Sequence, residues 1–247
     1  YYLVTDIKSL FEVEAIPQSL LFSLLITFVM KTSTTINQIL GQKVFIRLLL
    51  KLYHKPVKER RFIMFLDLVN STSIAEQIGD KAFHGFLRDF FTDITIPILE
   101  NKAEIYKYVG DEVILTWKSK QGVLKNNALS LVFDIDHTLK HLREHYNKKY
   151  GVFPEYRAGL HFGEVLLGEM GTYKMEVAFI GDVMNTAARI QSACKEYNVN
   201  FLISENVLQQ YQEEKLQDFK INAIGSIQLK GKTNKMELFN VIAKSDR

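Results

Sequence analysis

The 247-residue chain is predicted to hold one mixed α+β domain, with helices covering a sheet, behind an apolar and basic leader. Three observations predict it. Beyond about residue 60, apolar runs of strand length alternate with longer stretches of helical period. The segment from Val13 to Met30 carries no charge after Glu14. The charge divides near the same place: residues 1–61 hold nine Lys/Arg and four Asp/Glu, a balance of +5, and the remainder holds 22 and 24, a balance of −2. A hydrophobic fraction of 47% with 24% charged residues excludes a disordered chain. The near-neutral body weakens any nucleic-acid reading, so no nucleic acid is expected as a partner. The single cysteine, Cys194, allows no internal disulfide and points to a reducing compartment. Tyr1 in place of Met suggests a fragment or a processed form.

In the leader, eighteen helical residues over 13–30 would span ~27 Å, close to a ~30 Å hydrocarbon core. Pro17 suits the first turn of such a helix. Acidic residues dominate before it. Lys31, Lys43, Arg47, Lys51, Lys55, Lys58, Arg60 and Arg61 follow it. The positive-inside tendency then puts residues 1–31 at the end of a membrane region and everything after Met30 in the cytoplasm, which makes the expected location the cell membrane. A buried or an amphipathic surface helix is the alternative, because the tract is short and holds Ser and Thr. Ile36, Ile39, Ile46, Leu50 and Tyr53 suggest a linker helix over 32–58, as a short coiled coil or packed on the body. Lys55-Pro56 ends it, so the domain is expected from about residue 59 to 247.

In the body, RFIMFLDL (61–68) reads as a buried strand ending at Asp67. Asn70-Ser71-Thr72 are good N-caps for helices running to about Asn101. Glu104–Val109 and Val113–Trp117 read as strands joined by a Gly110-Asp111-Glu112 hairpin turn. Leu124, Ala128, Leu131, Val132, Ile135, Leu139, Leu142 and Tyr146 form the stripe of one long helix. Strands at 155–161, 164–168 and 174–180 follow, then a helix from Asp182 to about Tyr197. A strand at 200–203 and a final pair near 219–229 and 235–242 complete the pattern.

Asp67 and Asp111 each stand at a strand end, where adjacent strands could join them into a hard-oxygen site for Mg²⁺ or Mn²⁺. The helix start at Asn70–Thr72 offers N–H groups to a polyphosphate. Asn185 and Arg189 lie at i and i+4, so they share one helix face and could bind a sugar or phosphate oxygen. Taken singly, each has an ordinary structural reading, as helix cap, turn residue or solvated side chain.

Five segments in order, FLDLVNST (65–72), KYVGDEV (107–113), RAGLHFGEVLLGEMG (157–171), FIGDVMNTAARIQS (179–192) and IQLKGKTNKMELF (227–239), resemble the class III nucleotidyl cyclase catalytic domain, and LYHKPVKERRFIMFLDL looks like the entry of its bacterial membrane-anchored members. The resemblance covers about residues 60–243. It implies a ferredoxin-like βαββαβ core and a head-to-tail homodimer with active sites at the interface. It implies two Mg²⁺ or Mn²⁺ ions on Asp67, Asp111 and the Leu68 carbonyl. Asn185 and Arg189 then match the pair that stabilises the transition state, Lys230 the lysine that binds the triphosphate, and Lys107 the lysine that reads adenine. The implied reaction turns a nucleoside triphosphate, first of all ATP, into a 3′,5′-cyclic monophosphate for signalling. Two positions depart from the pattern. Ala178 stands where a base-selecting Asp or Thr is usual, which leaves GTP or a pyrimidine nucleotide open. Glu164 stands where some members carry a phosphate-binding arginine. A module that binds nucleotide or only dimerises is the non-catalytic alternative.

Three other features compete. Asp134, Asp136 and Thr138 spell the DxDxT of haloacid-dehalogenase-type phosphatases, but helical spacing around them puts the motif in mid-helix, away from a strand end. His137, His141 and His145 recur every four residues and could bind zinc, although a solvated face is the simpler reading. Cys194 reads as packing.

Overall fold

The first strand is longer than its apolar run. In the computed structural model, which describes residues 18–35, 56–171, 176–228 and 235–244, β1 spans Val57–Leu68. The polar start of β1 is held in strand form by β4 (Tyr156–Met170), which pairs with it antiparallel from Val57 opposite Leu167 to Leu68 opposite Tyr156. Tertiary pairing here extends a strand that hydrophobicity alone would have started four residues later.

After β1 come α1 (Ser71–Ile78), α2 (Asp80–Asp93) and α3 (Thr95–Glu100), then β2 (Glu104–Val109) and β3 (Glu112–Lys118). Next are α4 (Ser119–Val123), α5 (Asn127–His141) and α6 (Arg143–Tyr150), which lead into β4. The chain closes with β5 (Glu176–Ile180), α7 (Asp182–Glu196), β6 (Phe201–Ser204), α8 (Glu205–Leu208), β7 (Phe219–Ile227) and β8 (Met236–Ala243). The sheet order is β2-β3-β1-β4-β6-β8-β7, with β5 on β4. Its first four strands, with the helices between them, are the ferredoxin-like βαββαβ unit that the resemblance implies. β4 and β6 pair in parallel, and α7 makes the crossover between their sheet positions.

Alternation along β1 divides the interior. Phe62, Met64, Leu66 and Leu68 join the main core with Phe86, Phe90, Leu131, Ile135 and Leu139 of the helical layer. On the other face α7 lies against β4. A Cβ on Gly159 would stand 2.2 Å from the Gln191 backbone nitrogen, and one on Gly163 would stand 3.1 Å from a Val183 methyl. Ile190, Ala193 and Cys194 of α7 pack there with Leu202 and Leu238. Gly163 accounts for a difference from the sequence reading. Residues 155–161 and 164–168 are one strand, and its glycines are places of close approach, not breaks.

The long helix expected over 124–146 is broken. Lys125 and Asn126 take left-handed φ values of 52° and 58°, and Leu124 is left exposed. The buried stripe begins at Ala128 and runs to Leu139; Leu142 is half-buried at the junction where α6 starts afresh, and Tyr146 of α6 returns to the core as expected. The DxDxT residues lie inside α5, with Asp134 accepting from Asn101 Nδ2 at 2.7 Å and Asp136 from the Tyr156 hydroxyl at 2.7 Å. His137 and His141 are exposed, their rings 4.3 Å apart, with His141 Nδ1 against the His137 carbonyl. Cys194 is fully buried and burial pushes its thiol up to about 12, so it packs.

The chain divides into two compact units, Tyr1–Tyr53 and His54–Arg247. In the first, a helix covers 18–35. Residues 13–17, the 36–53 linker pattern and Lys55 lie outside the described residues. The helix runs past Met30, where the Thr34 and Thr35 hydroxyls bond back to the Lys31 carbonyl at 2.8 and 2.9 Å. Among the described residues, no helix is long and apolar enough to cross a membrane.

The glycine contacts give a graded test. Gly159→Ala sets a methyl against backbone and is expected to cost about 3 kcal/mol or more, whereas Gly163→Ala meets Val183 at 3.1 Å, needs it to give by only a few tenths of an ångström, and should cost about 1 kcal/mol. Urea unfolding of the two variants measures both, and equal costs would show that α7 is not pinned at Gly159.

Candidate active site

Two pairings bring the predicted aspartates together. β1 and β3 run antiparallel with Asp67 opposite Glu112, and Val109 pairs with Glu112 across the two-residue turn Gly110-Asp111. Gly110 supplies the φ of 65° that this turn needs at its first position. This brings the Asp111 carboxyl close enough to Asp67 for its charge to act there.

The pair is electrostatically uncomfortable. Burial, then the charge of Asp111 and a hydrogen bond with it, push the Asp67 carboxyl up to about 6. Burial, then the charges of Asp67 and Asp111, raise Glu112 to about 7. Two forces oppose this at Asp67: a hydrogen bond from the Leu68 backbone, and one from Gln191 Nε2 to Asp67 Oδ2 at 3.4 Å. Clustered half-buried carboxylates of this kind suit a hard divalent cation, so the donor set fits Mg²⁺ or Mn²⁺. Among the described residues, no group of three or more His, Cys, Asp or Glu side chains is arranged to hold a metal. The aspartate pair would therefore leave most of an octahedral shell to the Leu68 carbonyl, water and phosphate oxygens, a common way of holding Mg²⁺.

The predicted polyphosphate cradle starts where expected, since α1 begins at Ser71. Its cap differs. Asn70 takes a left-handed φ of 57° and makes no side-chain cap, so its amide does not occupy the first-turn N–H groups. Ser71 is half-buried, and Asn70 and Thr72 are exposed.

Lys107 stands on β2 with Nζ 3.3 Å from Glu176 Oε2 on β5. A register shift between Ile105 and Lys107 lets two consecutive side chains reach β5. Tyr106 stacks on Phe179 at 4.3 Å and accepts the Phe179 N–H at 3.2 Å, while Lys107 meets Glu176. Ala178 lies between these two β5 residues. Glu164 pairs with Lys58 at 2.9 Å.

Asn185 and Arg189 share the outward side of α7, the first exposed and the second half-buried. Among the described residues, no hydrogen bond or ion pair joins either to Asp67 or Asp111. Lys230 lies outside the described residues. Sequence reasoning missed Gln191, Glu112 and Glu176. Gln191 carried a signal of its own, since it sits in phase with buried Ala187 and Cys194 on α7 and not with Arg189.

A ferredoxin-like unit with an aspartate pair at the end of its first strand defines a class. The profile of the adenylate and guanylate cyclase catalytic domain matches residues 53–243, and the chain belongs to that family. It is 32% identical over 210 residues to Adenylate cyclase 2 of Rhizobium meliloti, covering 85% of this chain and 57% of that protein. It is 28% identical over 188 residues to Adenylate cyclase of Anabaena cylindrica, covering 74% of this chain and 37% of that one. The chain thus spans a little over half of the first relative and a little over a third of the second. A bacterial light-regulated adenylyl cyclase superposes with a TM-score of 0.74 at 21% identity, over 90% of this chain and 65% of that one, a likeness of fold.

The carboxylates set a pH dependence. Asp67 and Glu112 bind protons more tightly in the folded than in the unfolded chain. Their cost to stability is absent below the unfolded values near 4 and is fully felt once pH has risen through about 6 and 7. Mn²⁺ binds the ionised form. The rise in Tm on adding Mn²⁺ is therefore expected to be larger at about pH 8 than at about pH 5, and Asp67→Asn should remove most of it. Equal rises at both pH values in calorimetry would contradict the site.

Proposed function

We propose that the chain is the catalytic part of an adenylate cyclase. In the reaction, the ribose 3′-oxygen of ATP bonds to its own α-phosphorus. The bond from that phosphorus to the bridging oxygen breaks, and pyrophosphate leaves 3′,5′-cyclic AMP. The observation that carries this reading is the half-buried Asp67–Asp111 pair beside the start of α1, in a chain of this family. Two Mg²⁺ or Mn²⁺ ions held by Asp67, Asp111 and the Leu68 carbonyl would supply charge neutralisation for the attacking and leaving oxygens.

The chain's own groups do the rest. The first-turn N–H groups at Asn70, Ser71 and Thr72 receive the triphosphate. Asn185 orients the ribose, Arg189 meets charge growing on the α-phosphate, and Lys230 meets charge on the departing pyrophosphate. Lys107 presents its ammonium to the base, with Glu176 beside it as an acceptor that Ala178 cannot be. ATP is the first choice. The Lys–Glu pair also matches donor and acceptor positions on other bases, so GTP and the pyrimidine nucleotides belong in the assay.

A head-to-tail homodimer is part of this reading. What supports it is that Asn185 and Arg189 point outward, with no bond to the aspartates of their own chain, so a second copy can bring them to that pair. We also propose that the leader sits at the cell membrane, with the catalytic domain in the cytoplasm. Support comes from exposed Leu20, Leu21, Phe22, Leu24, Leu25, Ile26, Phe28, Val29 and Met30 on its helix, and from the +5 charge around it.

With Mn²⁺ and each of the four nucleoside triphosphates, the protein is expected to release pyrophosphate fastest from ATP, with cyclic AMP identified by mass spectrometry. Silence with all four from a folded dimer would favour a binding module. Asp67→Ala and Arg189→Ala should each lose roughly 100- to 1,000-fold in rate. Mixing these two inactive variants should restore about a quarter of wild-type activity, because half of the dimers are mixed and each of those holds one intact site. No recovery on mixing would refute the shared site.

A further inference from the structure

Asp67 is held from its own side of the molecule by a residue that the proposed chemistry does not use. Gln191 lies on the inner side of α7, almost fully buried, and its Nε2 donates to Asp67 Oδ2 at 3.4 Å. Its backbone is placed by the sheet: α7 approaches β4 so closely at Gly159 that no Cβ fits between them. The amide is thus carried by an anchored helix turn and not by a mobile loop. Asp67 in turn is fixed by the ladder on both sides, opposite Glu112 of β3 and Arg157 of β4.

We propose that Gln191 is a positioning residue for metal binding: its amide holds one oxygen of Asp67 and leaves the other turned toward Asp111. The residue type suits this task. A lysine or arginine there would pair with Asp67 and compete with a cation for its charge. An aliphatic side chain would remove the one side-chain donor that holds the carboxylate, leaving it the Leu68 backbone. A neutral amide orients the carboxylate and leaves its charge in place. Partners of this kind are worth about 10- to 100-fold in metal affinity.

The inference rests on the metal reading of Asp67, and the test separates the two. Mn²⁺ binding to the full chain is followed by electron paramagnetic resonance of the free ion, for wild type, Asp67→Asn, Gln191→Met and Gln191→Asn. Methionine keeps the unbranched bulk and removes the donor. Asparagine keeps the amide on a stem one methylene too short for an anchored helix. Both Gln191 variants are expected to bind Mn²⁺ about tenfold more weakly while unfolding at a Tm close to wild type. The Mn²⁺ concentration for half-maximal cyclisation should rise with kcat at saturating Mn²⁺ nearly unchanged. Asp67→Asn should abolish the site. If Asp67→Asn weakens Mn²⁺ binding and Gln191→Met does not, the positioning role is refuted. If Asp67→Asn leaves Mn²⁺ binding at the wild-type level, the metal site itself is refuted, and the role of Gln191 with it.

Discussion

The antiparallel register between β1 and β3 is the constraint from which the rest of the site follows. Asp67 faces away from the helical core only because Phe62, Met64, Leu66 and Leu68 occupy the alternate positions inside it. A slip of one residue would turn those four outward and bury the aspartate. The same register sets Glu112 opposite Asp67 and so brings the hairpin tip, with Asp111, to the end of β1. A hydrophobic pattern thus fixes the position of two charges that it does not contain. The energy of the apolar face, about 1.5–3 kcal/mol for each fully buried large side chain, holds together a carboxylate pair that repels itself.

The second organising contact is α7 on β4. Glycines at 159 and 163 bring helix and strand together, and the helix then has two kinds of work on its two sides. Its inner side packs Ile190, Ala193 and Cys194 and carries Gln191 to Asp67. Its outer side carries Asn185 and Arg189 away from the chain's own aspartates. In a head-to-tail pair, one rigid helix would therefore serve the metal pair of one site and the phosphate-facing groups of the other.

Charge is used locally. A body with a balance of −2 has no net positive charge with which to gather a triphosphate. The half-buried acids near Asp67 instead create a demand for divalent cations, and those, with a few placed side chains, would meet the anion. The basic excess belongs to residues 1–61, and the proposed membrane attachment would use it there.

Much of this was legible from the residues. Alternation and helical period located nearly every element, because strands and helices bury different spacings. Five motifs in order identified the family, and Asp67, Asp111, Asn185 and Arg189 could be chosen from their places in those motifs. Other features depend on packing between distant segments. The break at Lys125–Asn126 split a stripe that looked continuous, and a long partner strand drew Val57–Arg60 into β1. The gap read between strands 155–161 and 164–168 closed into one strand, and Gly163 within it proved to be a seat for a helix. The sequence by itself determined the element types, the family and the chemistry of the paired acids, since these are properties of local pattern and residue type. Only the tertiary structure decided that Gln191 meets Asp67 and that Glu176 meets Lys107. Those contacts join residues 124 and 69 positions apart, and their geometry is set by sheet register and helix docking, which no single segment contains.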